Sequence, residues 1–213
     1  MKLKYLSLAS LLVLLVSACG VTGEEPFNNN NADTEDHSGH NPDSTENAVL
    51  SGETIIDASS TSNWAYWDFS SGAVVTPADP STSHEWDMAF RRAQIAANCG
   101  TTHMMAGHET QGGVMNMATT DWAGTTECPA EGYEVDEMMP IPGPPGSGEY
   151  SGNPALADWF DYDPATHAVS SKSLVYCIRT ADGKYAKFTI INYAGGQMTI
   201  RWEYQPDGSR SLP

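Results

Sequence analysis

Apolar positions in this chain recur with the period of a strand and nowhere with that of a helix. From residue 51 onward, short β-type runs are separated by turn residues. Residues 53–57 form a candidate strand, and Trp64-Ala65-Tyr66-Trp67-Asp68-Phe69 forms another, ended by Ser70-Ser71-Gly72. Residues 73–76 follow and stop at Pro77. Residues 85–90 begin by alternating polar and apolar side chains, as a half-buried strand does, and 91–97 are expected to continue that strand. The last third is the clearest. Residues 174–180 are apolar and rich in β formers, and Asp182-Gly183 supplies a two-residue hairpin signal. Residues 184–193 return, Ala194-Gly195-Gly196 turns the chain again, and a final strand follows. There Met198, Ile200, Trp202 and Tyr204 share one face, while Thr199, Arg201 and Glu203 share the other. The pattern predicts a three-stranded meander with one buried face, in an all-β, antiparallel domain.

Between residues 100 and 152 the pattern breaks down. Gly and Pro recur, and Ile141-Pro142-Gly143-Pro144-Pro145-Gly146 excludes both a helix and a central strand. Long irregular stretches of this kind are where binding residues sit on a rigid scaffold.

The first 50 residues belong to a different regime. Lys2 and Lys4 precede an almost wholly apolar run, residues 6–16, too short to span a bilayer comfortably. Val16-Ser17-Ala18-Cys19 then resembles the bacterial lipobox, which implies a signal peptide over 1–18 and lipidation of Cys19. Gly20, where inner-membrane lipoproteins often carry Asp, points to the outer membrane. Residues 19–50 read as the lipidated cysteine and a disordered acidic tether with almost nothing to bury. Residues 51–213 remain for one β domain, long enough for a real core. Removing the leader leaves 8 basic against 27 acidic side chains, a net charge of −19. Such a surface repels phosphate backbones and excludes nucleic acid as a partner.

Export permits disulfides. With Cys19 acylated, Cys99, Cys128 and Cys177 remain, enough for one bridge. The favoured pair is Cys99 with Cys128, which flank a loop-rich segment. That closure would contribute about 3–4 kcal/mol in the chain-entropy picture. Cys177 lies in a strand pattern and reads as a small buried side chain.

Catalytic signatures are missing. His84-Glu85 and His108-Glu109 begin like a zinc-protease helix, but Met88 and Gly112 stand where the second histidine is required. Asp158, Asp161 and Asp163 do not meet EF-hand spacing and read as an acidic, aromatic surface strand or turn. His37 and His40 lie in the tether and read as part of a solvated linker. The unusual feature is a Met/His segment. It runs through His103, Met104, Met105 and His108, then Met115 and Met117, then Met138 and Met139. Six of the nine methionines fall within 36 residues. Thioether and imidazole ligate haem iron and Cu(I), whereas methionine also fills irregular core gaps. The residues alone leave the two readings open.

Several runs together resemble the HmuY family of bacterial lipoproteins. They are Trp67-Asp68-Phe69-Ser70-Ser71-Gly72, then Glu85-Trp86-Asp87-Met88-Ala89-Phe90-Arg91-Arg92, then Tyr162-Asp163-Pro164-Ala165-Thr166-His167. The clearest is Tyr176-Cys177-Ile178-Arg179-Thr180-Ala181-Asp182-Gly183-Lys184-Tyr185-Ala186-Lys187-Phe188. The resemblance covers about residues 52–206 and rests mostly on scaffold motifs. It implies an all-β fold, haem capture at the outer membrane or outside the cell, and delivery to an outer-membrane receptor. It also implies two axial ligands from mid-chain loops, histidines or methionines, with no spacing here that matches residue by residue. The expected site is therefore His103, His108, Met115 or Met117 on one side of the iron and Met138 or Met139 on the other. Two further expectations stand beside this non-enzymatic haem module. One is a copper-binding lipoprotein using the same soft ligands; the other is a structural or interaction lipoprotein without cofactor. The leaflet orientation, periplasmic or surface-facing, stays open.

Overall fold

The computed structural model describes residues 48–100, 110–118, 120–141 and 144–213. Cys19, His37, His40, His103 and His108 lie outside them. Thirteen strands and one short 3-10 helix, Pro154–Leu156, are present among the described residues. Strands β1 (Leu50–Asp57), β6 (Gly113–Asn116), β11 (Val175–Arg179), β12 (Tyr185–Ala194) and β13 (Gln197–Gln205) make a five-stranded sheet in the order β1-β13-β12-β11-β6. Strands β2 (Ala65–Asp68), β3 (Ala73–Val75), β4 (Met88–Arg91) and β5 (Gln94–Ala97) make a second sheet in the order β3-β2-β4-β5. All pairings are antiparallel. The all-β expectation is met.

The core lies where the two sheets face each other. Trp67, Phe69, Met88, Phe90 and Ile95 come from the smaller sheet and its flanks. Tyr176, Ile178, Phe188, Ile190, Met198, Ile200, Trp202 and Tyr204 come from the larger. The meander has its predicted face: every second residue of β13 from Met198 is buried, while Arg201 is exposed. Period-2 geometry forces this outcome, because a one-residue slip would send all four large side chains to solvent. Asp87 ties the layers together. Its two carboxylate oxygens accept the Phe69 amide (3.0 Å) and the Ala181 amide (3.1 Å), and burial pushes its carboxyl up to about 7.

Three expectations are corrected. Beyond Arg91, the end of β4, residues 92–97 do not prolong the strand before them. The chain reverses at Arg92, whose φ of 55° is left-handed, and β5 pairs back on β4. The Asp182-Gly183 hairpin is not a two-residue turn. Gly183 donates to Thr180 O (2.9 Å) and the Thr180 amide to Lys184 O (2.8 Å), so the loop holds three residues with Gly183 at φ 78°.

The third correction concerns the disulfide, which joins Cys128 to Cys177 and leaves Cys99 as a buried free thiol. The reason is which side of each strand the sulfur takes. Tyr176 and Ile178 fill the inner face of β11, so Cys177 points outward. The segment carrying Cys128 covers that outer face, held by the Cys128 amide to Arg210 O at 2.8 Å. Cys99, just past β5, packs into the core between the sheets. A Cys99–Cys128 bridge would have to pass through the larger sheet.

Two hairpins stand beside the sheets: β7 (Glu137–Pro140) with β8 (Glu149–Gly152), and β9 (Phe160–Asp163) with β10 (Ala168–Ser171). The acidic 158–163 run accordingly enters an exposed strand, and Lys172 pairs with both Asp158 and Asp161.

Candidate functional site

The described methionines of the Met/His segment fall into two pairs. Met115 sits on β6 opposite Cys177, on the outer face of the larger sheet, with its side chain against Gly132. Met117 packs against the cluster of Cys128, Cys177 and Leu212, and its amide donates to Val175 O (2.9 Å). Both are half-buried and fill space around the disulfide, the gap-filling role of methionine. Met138 and Met139 lie on β7, opposite Ser151 and Tyr150. Met138 is 44% exposed, and Met139 is half-buried. Neighbouring strand positions face opposite ways, so one site takes one of these two thioethers and not both.

The two pairs do not converge. Val114 and Glu134 exchange backbone hydrogen bonds (2.9 and 2.8 Å) in an antiparallel bridge. Beyond that bridge, residues following Val114 and residues following Glu134 run in opposite directions. Met115 and Met117 therefore go one way along the edge of the larger sheet, and Asp136, Met138 and Met139 the other.

What does lie beside Met138 is the place where the His103–His108 segment leaves and rejoins the described structure. Gly100, at φ 79°, backs onto Asp136 so closely that a Cβ would come within 2.5 Å of its carbonyl oxygen. Gly112 backs in the same way onto Asn98 O, and the Thr110 hydroxyl donates to Asn98 O. Asp136 is the anchor. Its carboxylate accepts the Ala97 amide (3.1 and 3.0 Å) and the Asn153 side-chain amide (3.1 Å), and Asn153 also donates to Glu134 O (2.9 Å). Burial outweighs these bonds and pushes the Asp136 carboxyl up to about 7. The Cys99 thiol, 3.4 Å from Asp136 Oδ1, is also raised, first by burial and then by the Asp136 charge, so it stays protonated and is a poor metal ligand.

Two surface histidines were not singled out as ligands from the sequence. His84 Nδ1 lies 3.2 Å from Asp182 Oδ1. His167, at φ 58° in the β9–β10 turn, meets the Tyr162 hydroxyl through Nδ1. In the sequence His84 is half of an incomplete zinc motif and His167 part of a family-like run; only the fold shows that both are accessible.

An exposed methionine on a short hairpin suits ligation of a flat iron macrocycle, whereas Tyr150, buried opposite Met139 and 6.4 Å from Trp64 by ring centroids, backs the other face of β7. A copper site fits less well, because it needs several soft donors at one point and the methionine pairs diverge. No group of three or more His, Cys, Asp or Glu among the described residues is arranged to hold a metal ion. No described helix is long and apolar enough to cross a membrane.

A family model described as HmuY protein matches residues 60–204. Three solved structures share the fold. A Tannerella forsythia apo HmuY analog is 18% identical, covers 75% of this chain and 97% of its own, and superposes with a TM-score of 0.57. A Bacteroides vulgatus protein assigned as HmuY-like and haem-binding is 23% identical over 71% of this chain and 90% of its own, with a TM-score of 0.52. A Bacteroides fragilis protein assigned as a lipoprotein is 18% identical over 71% of this chain and 89% of its own, with a TM-score of 0.51. No curated protein sequence matches the chain.

Proposed function

The chain belongs to the HmuY family, and on that premise we propose that it is a lipid-anchored haem-binding protein of the cell envelope that captures haem and passes it to an outer-membrane receptor. It acts as a binding module and not as an enzyme. The reading is supported by the haem-binding assignment of the Bacteroides vulgatus neighbour and the lipoprotein assignment of the Bacteroides fragilis one. The observation that carries it to particular residues is the exposed Met138 on β7, two residues from Asp136, onto which Gly100 backs three positions before His103 in the chain. The iron would be held by Met138 or Met139 together with His103 or His108, in preference to Met117, which packs on the disulfide cluster, or Met115, which lies opposite Cys177 and against Gly132. Haem would supply the iron centre, and the protein the two donors. Thioether ligation favours Fe(II) and raises the reduction potential. Cys19 carries the lipid, and the 20–50 tether takes no part in haem binding.

The test is an absorption titration of the soluble chain with haem in both iron oxidation states. Replacing Met138 and Met139 together with Ala is expected to shift the Soret band or weaken binding at least roughly tenfold, about 1.4 kcal/mol. Replacing Met115 and Met117 is expected to leave the spectrum unchanged. An unchanged spectrum after all six of His103, His108, Met115, Met117, Met138 and Met139 are replaced would refute the site. Binding of Cu(I) without haem would favour the copper reading. Acyl labelling that persists in Cys19→Ser would refute the anchor.

A further inference from the structure

The outer face of the larger sheet carries a second cleft, of about 530 Å³, with no histidine, methionine, cysteine or tyrosine among its described lining residues. It therefore offers no axial ligand and is separate from the haem reading. Its floor is one cross-strand row. Glu53 on β1 lies opposite Arg201 on β13, Arg201 opposite Thr189 on β12, and Thr189 opposite Val175 on β11. Directly opposed residues share a face, so the row presents a carboxylate, a guanidinium, a hydroxyl and an apolar branch to the same space. Trp122 and Asp121 close it from above, and Leu174 and Ile191 complete the apolar side.

Two polar groups on that floor are unspent. Both Arg201 and Lys187 lie on the Trp122 ring, at 4.3 and 4.8 Å from its centroid. Lys187 is fully engaged: Nζ pairs with Glu203 (2.9 Å) and donates to Thr125 O (2.9 Å) and Pro213 O (2.8 Å). Arg201 has no such oxygen partner among the described residues, although its guanidinium carbon lies over the indole. Thr189 is 8% exposed, and its hydroxyl is buried without a partner. Buried polar atoms are almost always satisfied in folded proteins, so the orphan asks for a ligand. The rim is strained as well. Ala118 (φ 45°) and Ser173 (φ 52°) both line the cleft in the left-handed region without being glycine, a condition that clusters at ligand sites.

We propose that this cleft binds a small zwitterion of the amino-acid or short-peptide class. The ligand's carboxylate lies on Arg201 and the Thr189 hydroxyl, its ammonium faces Glu53 and Asp121, and its apolar side chain packs on Trp122, Leu174 and Val175. A guanidinium with Glu53 directly across the strand pair and Asp121, whose Oδ1 accepts the Gly124 amide, on the rim selects against phosphates and other multiply charged anions, because the acidic lining repels the second charge. It selects for a ligand that carries both signs at short range.

The test is calorimetric titration of the whole mature chain with L-phenylalanine and with L-leucyl-L-leucine. At least one is expected to bind with Kd below about 1 mM, and the tighter one separates a free amino acid from a peptide end as the natural ligand. Removing either charge from the probe, as in 3-phenylpropionate or 2-phenylethylamine, is expected to weaken binding at least roughly tenfold. Arg201→Gln is expected to abolish binding with an unchanged haem titration and a melting temperature lowered by no more than about 4 °C, the loss of its contact with Trp122, since Arg201 is exposed. Glu53→Gln is expected to narrow the preference for phenylalanine over 3-phenylpropionate at least roughly threefold. No heat with either probe at about 10 mM would overturn the proposal, as would wild-type binding of 3-phenylpropionate as tight as that of phenylalanine.

Discussion

Trp202→Ala is the most direct probe of the sandwich, because this one ring spans both layers. It sits on β13, 6% exposed, edge-on to Trp67 at 5.7 Å and to Phe69 at 6.3 Å, and its Nε1 donates to Thr54 Oγ1 at 3.2 Å. Gly52 and Gly72 back onto it, and a Cβ at Gly72 would come within 2.8 Å of the ring. A buried tryptophan removes about 200 Å² of side chain from water, worth roughly 5 kcal/mol at about 25 cal/mol/Å². Residual burial in the unfolded chain lowers this to about 3–4 kcal/mol. The two edge-on ring contacts add about 0.5–1.5 kcal/mol each, and partial collapse of the cavity returns some of that. The expected loss is about 3–5 kcal/mol, a large part of the 5–15 kcal/mol typical of a domain. Thr199→Ala, on the opposite face of β13, is expected to cost under about 1 kcal/mol. Urea unfolding followed by circular dichroism, with the disulfide intact, measures both from the midpoint and slope. Losses of similar size at the two positions would refute the face assignment and with it the packing of the two sheets.

Other outcomes follow from particular groups. Non-reducing peptide mapping is expected to link Cys128 to Cys177 and leave Cys99 alkylated only after unfolding. Cys128→Ser with Cys177→Ser is expected to cost about 4 kcal/mol for a bridge of sequence separation 49. Asp87 and Asp136 have folded-state carboxyls raised from 3.8 to about 7, so the folded chain holds these protons more tightly than the unfolded one. Their contribution is full below about pH 4 and is lost as pH rises towards 7, where each must ionise while buried. The pH dependence of the urea midpoint over that window is expected to shrink in Asp136→Asn, whose amide oxygen still accepts the Ala97 amide; an unchanged slope would refute the assignment. Lys187→Met is expected to cost about 3–5 kcal/mol, because it strands the Glu203 carboxylate, 14% exposed, without its cation. A neutral result in thermal or urea unfolding would show that the cage around Lys187 is not structural.

The sequence by itself determined the class of fold and the faces of its best strands. Alternation along residues 198–204 has a period of exactly two residues, so burying Met198 commits Ile200, Trp202 and Tyr204 as well. It also marked the turns at Gly183 and Gly195-Gly196, since left-handed backbone there leaves glycine as the unstrained choice. What it did not determine is which distant segments meet. Cys177 reads as one more apolar strand residue. Its bridge to Cys128 depends on the segment ending at Pro213 and the segment holding Trp122 folding over the outer face of the sheet, a contact with no local signal. The same holds for the methionines. They read as one segment along the chain, yet the Val114–Glu134 bridge sends them apart. The row Glu53–Arg201–Thr189–Val175 exists only because four strands from both ends of the domain come into register. Local periodicity fixes which way a side chain points from its own strand. Only the pairing of strands, set by packing over the whole core, decides what it points at.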